Sequence, residues 1–362
     1  MTDKTILKKS PKIGKEQIDL LSRLSEASGV SGDEDAVRKI VLEEVRKITD
    51  QVRIDPMGSV IVTRKGKGEN NLKVLAAAHM DEVGLMVTAD DGDGLFQFRV
   101  VGGIDVRYLP GKPVWVGVDR IPGVIGARAI HLTTAEERKH AIPLNTLRID
   151  VGTGDAGKKV KAGDRAVFAV NFLELSESLR GKAMDDRIGV VNLIELLKHA
   201  PDNIDLVAAF TVQEEVGLRG AQAAAYAEAP DVAFALDCTP CNDLPTSDGS
   251  ENTRYNARAG AGAVLYTMDR GTISDPRLVK HIRHIGDTHG IKYQVRQAGS
   301  GATDAAAMHK QRSGIPSVSI SVPGRNMHNT MTLVRKEDWD STLQLIYAVM
   351  ATLNRDVMKR DE

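Results

Sequence analysis

KVLAAAHMD, residues 73–81, is an apolar run that ends in a histidine and an aspartate. The length of 73–78 and its apolar side chains after Lys73 are typical of a buried strand. Because successive side chains of a strand point to opposite faces, His79 and Asp81 are expected to share one face. The stretch therefore predicts a strand that delivers an imidazole and a carboxylate to the edge of a sheet.

Three later apolar runs end in the same way. The runs and the polar residues after them are 206–212 with Glu214 and Glu215, 232–236 with Asp237, and 317–322 with His328. Asp185 and Asp186 form a further carboxylate pair just before a predicted helix at Ile188–Leu197. Since open α/β sheets bind ligands beyond the carboxyl ends of their strands, these groups are expected to meet at one edge.

The alternation of predicted helices and strands indicates an α/β fold, with a central mixed sheet and helices on both faces. Between about Ala89 and Phe172 the pattern changes to short strands and many glycines, which is typical of a small all-β unit. One of its predicted strands is Val124–Ile130. We therefore expect a main, site-bearing domain in two parts, 1–88 and 173–362, with a β domain inserted at 89–172.

The clustered side chains suit divalent metal ions. Imidazole and carboxylate groups without thiolates favour zinc, cobalt or manganese. Two ions about 3.5–4 Å apart can hold a hydroxide and stabilise a tetrahedral intermediate. A carboxylate that stays off the metals can take the proton from the water. One histidine or acidic pair after a strand is usually structural, but chance rarely gathers so many at strand ends.

Several segments together resemble the M42 aminopeptidases, a family of di-zinc exopeptidases. They are AAHMDEVGLMV, GKAMDDRIGV, FTVQEEVGLRGA, FALD, GATDAAA, and IPSVSISVP with the following His328. They occur in family order and, with weaker similarity in the β unit, cover nearly the whole chain. The resemblance implies a metallo-aminopeptidase that hydrolyses the N-terminal bond of peptide substrates.

The same resemblance implies two divalent metal ions per subunit, zinc first and cobalt or manganese as alternatives. His79 and Asp237 would hold one ion, and Glu215 and His328 the other. Asp185 would bridge the two ions. These roles follow from the matching motifs, because the residues alone leave the assignment open.

The motif match also implies that Glu214 is the general base and that Asp81 orients His79. The family further implies a cis peptide between Asp185 and Asp186. Its members commonly assemble as dodecamers, with the inserted β domain making dimer contacts. We therefore expect a homo-oligomer, with twelve subunits as the expected size.

Two segments beside the expected site depart from the family pattern. Asp237 is followed by CTPCNDLP in place of the usual Gly-Asp, and His328 lies in MHNTMT in place of His-Ser-Pro. Two alternatives stay open. A related carboxypeptidase or deacylase would have the same metal centre. The carboxypeptidase would need a cation for its substrate's carboxylate, and Arg219 and Arg325 are near the expected site in sequence. A non-catalytic scaffold would be expected to have lost a ligand.

Composition excludes several other classes of protein. The formal net charge is -1, from 48 basic and 49 acidic residues, which gives no field for nucleic acid or anionic membranes. No stretch approaches the roughly 18 apolar residues of a membrane span. The N-terminus lacks the apolar run of a signal peptide. The two cysteines, Cys238 and Cys241, are expected to be ordinary thiols, and the protein to be cytoplasmic.

Overall fold

The computed structural model describes residues 4–250, 252, 256–297, 299 and 301–360. The helices are α1 Lys4–Lys9, α2 Lys15–Glu26, α3 Asp35–Val45, α4 Met184–Lys198, α5 Arg219–Glu228, α6 Pro276–His289, α7 Ala305–Met308 and α8 Lys336–Thr352. The strands are β1 Val52–Ile54, β2 Val60–Arg64, β3 Leu72–His79, β4 Gly84–Gly92, β5 Leu95–Val101, β6 Pro113–Val116, β7 Ile121–Gly126, β8 Arg148–Asp150, β9 Arg165–Phe168, β10 Leu173–Leu175, β11 Ser178–Gly181, β12 Ile204–Thr211, β13 Val232–Cys241, β14 Ala263–Leu265, β15 Tyr293–Val295, β16 Ser317–Arg325 and β17 Thr332–Arg335.

A mixed sheet forms the main body of the molecule. Its strand order is β1-β2-β12-β3-β13-β16-β17-β11-β10, and β14 joins it beside β16 with β15 as its further neighbour. The centre, from β12 through β3 and β13 to β16, is parallel. The strands on either side are antiparallel to this centre. The carboxyl ends of the central strands therefore meet at one edge, as the α/β prediction requires.

Helices cover both faces of this sheet, which confirms the predicted fold class. Along β3, Val74 and Ala76 belong to a core that includes residues of α2, α3, α4, α6 and α8. The alternate residues Leu75 and Ala77 pack in a second core with residues of α5 and α7. Since a strand covered on both faces buries its side chains on both sides, the run at 74–78 is apolar without interruption.

Within the described residues, a second sheet closes into a barrel in the order β4-β5-β8-β7-β6-β9, with β9 pairing back to β4. Its core contains Phe96, Val114 and Ile149. The predicted strand Val124–Ile130 was wrong at its end, because β7 stops at Gly126. Gly126 pairs with the first residue of β8, so the chain beyond it has no neighbour to continue the ladder.

A membrane-spanning helix is not found in the described part of the chain, since none of its helices is both long and apolar enough.

Candidate metal centre

The ends of β3 and β12 place the first group of predicted residues. His79 is the last residue of β3 and lies opposite Thr211 at the end of β12. The chain after β12 then turns back toward Asp81, whose carboxylate accepts the backbone N–H groups of Glu214 at 3.0 Å and Glu215 at 3.2 Å. Asp81 therefore holds the two adjacent glutamates beside the histidine.

Asp237 lies within a strand, although the sequence predicted that the strand would end at Leu236. The pairing of β3 with β13 extends only to Ala77 and Ala235, whereas β13 continues beside β16 to Cys241. Asp237 thus follows the point where its neighbour β3 stops pairing. The residue is 7% exposed, and its carboxylate accepts the backbone N–H of Cys238 at 2.6 Å.

Asp185, at the start of α4, lies between the two histidines. Its Oδ1 is 3.0 Å from Nε2 of His79, and its Oδ2 is 3.3 Å from Nε2 of His328. The peptide between Asp185 and Asp186 is cis. One carboxylate therefore contacts two imidazoles that come from opposite ends of the chain.

The remaining carboxylates surround the same two imidazoles. Nε2 of His79 is 3.9 Å from Oδ1 of Asp237 and 4.0 Å from Oε2 of Glu214. Nδ1 of His328 is 3.9 Å from Oε2 of Glu215. The structure thus brings every residue predicted for the site into one cluster with two halves, one around each histidine.

Burial and mutual charge shift the acidities of these groups in opposite directions. Burial raises the pKa of Glu215 to about 7 and raises the pKa values of Glu214 and Asp237 well above their usual range. Burial also opposes ionisation of Asp185, but hydrogen bonds from the two imidazoles lower its pKa below the ordinary value. The hydrogen bond to Asp185 raises the pKa of His328 to about 10. So many buried carboxylates require nearby positive charge.

The donor atoms lie close enough to share metal ions. Ligand atoms of His79, Asp185 and Glu215 lie within 4.8 Å of one another, and so do those of His79, Asp186 and Asp237. Asp186, however, uses one oxygen to accept the N–H of His79 at 3.1 Å and the other to accept that of Gly189 at 3.0 Å. These bonds fit a positioning role for Asp186. The nitrogen and oxygen donors fit zinc, cobalt or manganese.

Several residues that support the centre were missed by sequence reasoning. Nδ1 of His79 lies 3.2 Å from the backbone oxygen of Asp81, and the Asp81 carboxylate accepts the hydroxyl of Ser31 at 2.6 Å. Asp304 accepts the hydroxyl of Thr211 at 2.7 Å. The GATDAAA motif indicated the segment of Asp304, whereas no pattern marked Ser31. Both are contacts between residues far apart in sequence.

The region of the barrel reaches the centre through its backbone. Nδ1 of His328 donates a hydrogen bond to the carbonyl of Gly103, two residues after β5, at 2.8 Å. A Cβ at Gly103 would lie 3.2 Å from that nitrogen, so a side chain there would press on the ring. The bond leaves Nε2 facing Asp185, which is how a metal-binding histidine is usually oriented.

A cavity of about 640 Å³ opens beside the cluster. Its lining includes the predicted ligands, Glu214, and a second group of residues: Tyr266, Arg270, Arg296 and Met327. This size is suitable for an amino-acid side chain and adjoining backbone.

The two cysteines point to opposite faces of β13. Cys238 packs in the main core, and Cys241 packs in a separate small core.

The chain is similar over most of its length to known aminopeptidases. The profile of the M42 glutamyl aminopeptidase family matches residues 58–345. The lysyl aminopeptidase of Pyrococcus furiosus is 31% identical over 92% of this chain and 97% of its own. The glutamyl aminopeptidase of Lactococcus lactis is 29% identical over 94% of this chain and 98% of its own. Among solved structures, the TET1 peptidase of Pyrococcus horikoshii is 34% identical over 93% of this chain and 100% of its own, with a TM-score of 0.81. This relative can assemble into a tetrahedron or a large octahedral shell.

Proposed function

Because the chain belongs to the M42 glutamyl aminopeptidase family, we propose that it removes N-terminal residues from peptides with the help of two divalent metal ions. The observation that carries the two-metal proposal is the position of Asp185, whose two oxygens face two different imidazoles. A carboxylate in that position is suited to bridging two ions. A single-metal site would need only one of the two halves.

The ligand assignment follows these two halves. His79 and Asp237 would hold one ion, and Glu215 and His328 the other, with Asp185 shared between them. Nε2 of His79 lies 3.9 Å from Oδ1 of Asp237, and Nε2 of His328 lies 3.3 Å from Oδ2 of Asp185. These distances support the arrangement, since they leave room for an ion after small side-chain shifts. Zinc is our first choice, and cobalt or manganese are alternatives with the same donor preference.

Glu214 is proposed as the general base. When bound, the metal ions supply Lewis acidity, which polarises the scissile carbonyl and makes a water molecule more acidic. Glu214 is buried beside His79, and its raised pKa suits a group that accepts and then returns a proton. It would take the proton of the attacking water and pass it to the leaving amine. Asp81 would meanwhile keep His79 and both glutamates in place.

The rival hydrolases are less well supported. Arg325 donates two hydrogen bonds to the carboxylate of Asp243, at 2.8 and 2.7 Å, and Arg219 donates one to Gln213 at 3.1 Å. Neither of these two arginines lines the described cavity, so the cations that the sequence suggested for a carboxypeptidase substrate lie elsewhere, although Arg270 and Arg296 do line it. A scaffold without activity is disfavoured because the proposed base and every proposed ligand are present.

We also propose that the protein forms a homo-oligomer of twelve subunits. The barrel region exposes Val118, Ile130 and Leu132 by 93%, 72% and 64%, which suits contacts with other copies. The TET1 relative, whose alignment covers 93% of this chain, can assemble into a tetrahedron or a large octahedral shell.

The activity can be tested with matched peptides. Enzyme reconstituted with zinc, cobalt or manganese should cleave free peptides from the amino end and leave N-acetylated copies intact. Crystals grown with zinc should show anomalous peaks at both halves of the cluster. Cleavage of the acetylated peptides, or ions bound elsewhere, would contradict the proposal.

A further inference from the structure

His328 is carried by the loop of a β-hairpin. β16 and β17 are antiparallel, and the pair of residues nearest the loop is Arg325 with Leu333. Residues 326–331 lie between the two strands and contain His328 near their middle. The position of this proposed ligand therefore depends on the conformation of the loop and not on a strand ladder.

The hairpin loop has little support of its own. Asn326 and His328 both have left-handed backbone conformations, with φ of 62° and 52°. This region is uncommon for residues other than glycine, and it persists where the surroundings hold it. Within the part of the chain that the structure describes, residues 326–331 make no hydrogen bond between backbone groups. The loop must therefore be held in place from outside.

Two outside contacts act on the imidazole and on the β17 end of the loop. Nδ1 of His328 donates to the carbonyl of Gly103 at 2.8 Å. Thr332, the first residue of β17, pairs with Gly181 of β11. Neither contact fixes the other end of the loop, where the chain leaves β16 at Arg325.

The β16 end of the loop is fixed by an ion pair. Arg325 lies opposite Cys241, and both are the last residues of their strands. Beyond this point the two chains no longer pair as strands, but Nε and Nη2 of Arg325 donate to the two carboxylate oxygens of Asp243, at 2.8 and 2.7 Å. A two-point contact between guanidinium and carboxylate sets distance and orientation together.

The segment that carries Asp243 is itself anchored. The Asp243 side chain is 8% exposed, and its Oδ2 also accepts the backbone N–H of Ala259 at 3.0 Å. The side-chain amide of Asn256 donates to the carbonyl of Pro240 at 3.0 Å, which holds the same segment against the end of β13. Arg325 is therefore joined to a part of the fold that several contacts keep in place.

The ion pair also connects the surroundings of the two halves of the metal centre. Asp243 belongs to the segment CTPCNDLP that follows Asp237, and Arg325 lies three residues before His328. Asp237 is a proposed ligand of one ion and His328 of the other. Neither Asp243 nor Arg325 lines the cavity beside the centre, so the pair acts on the ligands through the backbone.

We propose that the Asp243–Arg325 ion pair positions His328 for the second metal ion. This inference rests on the proposed two-metal function and names the contact that determines the affinity of the His328 half. Asp243 and Arg325 are positioning residues. Loss of the pair should weaken the ion held by Glu215 and His328 and leave the ion of the His79 half almost unchanged.

The experiment that decides this titrates cobalt into metal-free enzyme and follows each ion by calorimetry. Arg325→Gln and Asp243→Asn each break the pair, and each should weaken one of the two ions by about 10-fold, as is typical when a group that orients a metal ligand is lost. A purely electrostatic role predicts opposite signs, because removing a cation strengthens metal binding and removing an anion weakens it. Lower affinity in both variants would therefore support positioning.

Two further variants test whether the effect belongs to the pair. The double variant Asp243→Asn with Arg325→Gln should bind cobalt no more weakly than either single variant, since all three lack the same contact. Arg325→Lys keeps the charge but loses the two-point geometry, so its affinity should lie between those of the wild type and Arg325→Gln.

Controls separate positioning from folding and identify the affected half. Arg277 makes a similar two-point contact with Asp275, at 3.0 and 2.7 Å, away from the cavity lining, so Arg277→Gln should leave both affinities unchanged. Glu215→Gln is expected to keep only the ion of the His79 half. Adding Arg325→Gln to this variant should not change the affinity of the remaining ion.

The outcomes that overturn the inference are distinct from those that overturn the proposed function. Wild-type affinities in Arg325→Gln and Asp243→Asn, changes of opposite sign in the two variants, or equal losses at both halves would overturn the positioning role and leave the metal centre standing. A wild-type enzyme that binds fewer than two ions per subunit would overturn the two-metal proposal, and the positioning role with it.

Discussion

The mixed sheet and the barrel bury their strands in different ways. Helices cover both faces of the sheet, and its polar residues are collected at one edge, where His79, Asp81 and Asp237 are 2%, 0% and 7% exposed. The barrel closes on itself and places its apolar residues inside. Its outer loops nevertheless expose Val118 and Ile130, by 93% and 72%.

This difference explains where the chemistry lies. An open parallel sheet has an edge at which several strand ends converge, whereas a closed barrel has no such edge. Among the described residues that line the cavity beside the metal centre, the barrel region contributes only the backbone of Gly103. We propose that residues 89–172 act as an inserted assembly domain and that 1–88 with 173–362 form the catalytic domain.

The contrast between the mixed sheet and the barrel predicts its largest effect at the proposed general base, which lies at the edge of the sheet. Glu214→Gln keeps the size of the side chain and removes the proton acceptor, so kcat should fall by about 10²–10⁴-fold. Both metals should remain bound, as measured by metal analysis of the purified variant. Glu215→Gln is the matched control, which should lose one ion and regain part of its activity in excess metal. Near-normal turnover by Glu214→Gln would show that the roles are misassigned.

The junction between the two regions should be the next most sensitive place. Glu82 lies between β3 and β4, and both of its oxygens accept from the ammonium of Lys182, at 2.7 and 2.9 Å. The side chains of Lys182 and Glu82 are 2% and 3% exposed. Lys182→Met would leave the Glu82 carboxylate with the longer contact to Arg187, at 3.4 Å, as its remaining ion pair among the described residues, so the free energy of unfolding should fall by up to about 3–5 kcal/mol.

The control for the Lys182→Met variant is a change in a solvent-exposed ion pair of the same protein. Lys67 and Asp202 are 2.9 Å apart with side chains 81% and 60% exposed, so Lys67→Met should change stability little. Denaturant unfolding of both variants provides the measurement. Equal losses in the two variants would mean that burial of the Glu82–Lys182 pair has no special importance.

The outer loops of the barrel should determine assembly and not chemistry. The double variant Ile130→Ser and Leu132→Ser should reduce the particle mass measured by light scattering at micromolar concentration. Ile54→Ser, a change to a 49% exposed residue on the edge of the mixed sheet, is the control and should leave the mass unchanged. A wild-type protein that is already monomeric would refute the assembly proposal.

The smallest expected effect is a pH dependence within the helices that cover the sheet. Nε2 of His281 on α6 lies 3.0 Å from the hydroxyl of Thr352 on α8, and burial lowers the pKa of this histidine below 6.5. The unfolded chain therefore binds the proton more readily, and stability should fall as the pH drops below about 6.5. His281→Gln should show a shallower fall between pH 7.5 and 5.5 when both proteins are unfolded in chelator. Parallel curves would contradict the assignment.

Much of the fold could be predicted because it depends on local patterns. The unbroken apolar run before His79 and the similar run before Glu214 predicted buried strands, and both are present. The residues at which two other predicted strands end could not be predicted from local patterns. β13 continues past Asp237 because β16 pairs with it further than β3 does, and the strand 124–130 stops early because β8 begins opposite Gly126.

The sequence by itself determined which side chains stand at the ends of the central strands, because strand periodicity and the boundaries of apolar runs are properties of neighbouring residues. Only the tertiary structure decided that Asp185 lies between His79 and His328, and that Arg325 is paired with Asp243. These residues are separated by tens to hundreds of positions along the chain. Their distances are set by strand order, by the start of α4 and by the pairing of β13 with β16, which depend on contacts throughout the folded chain.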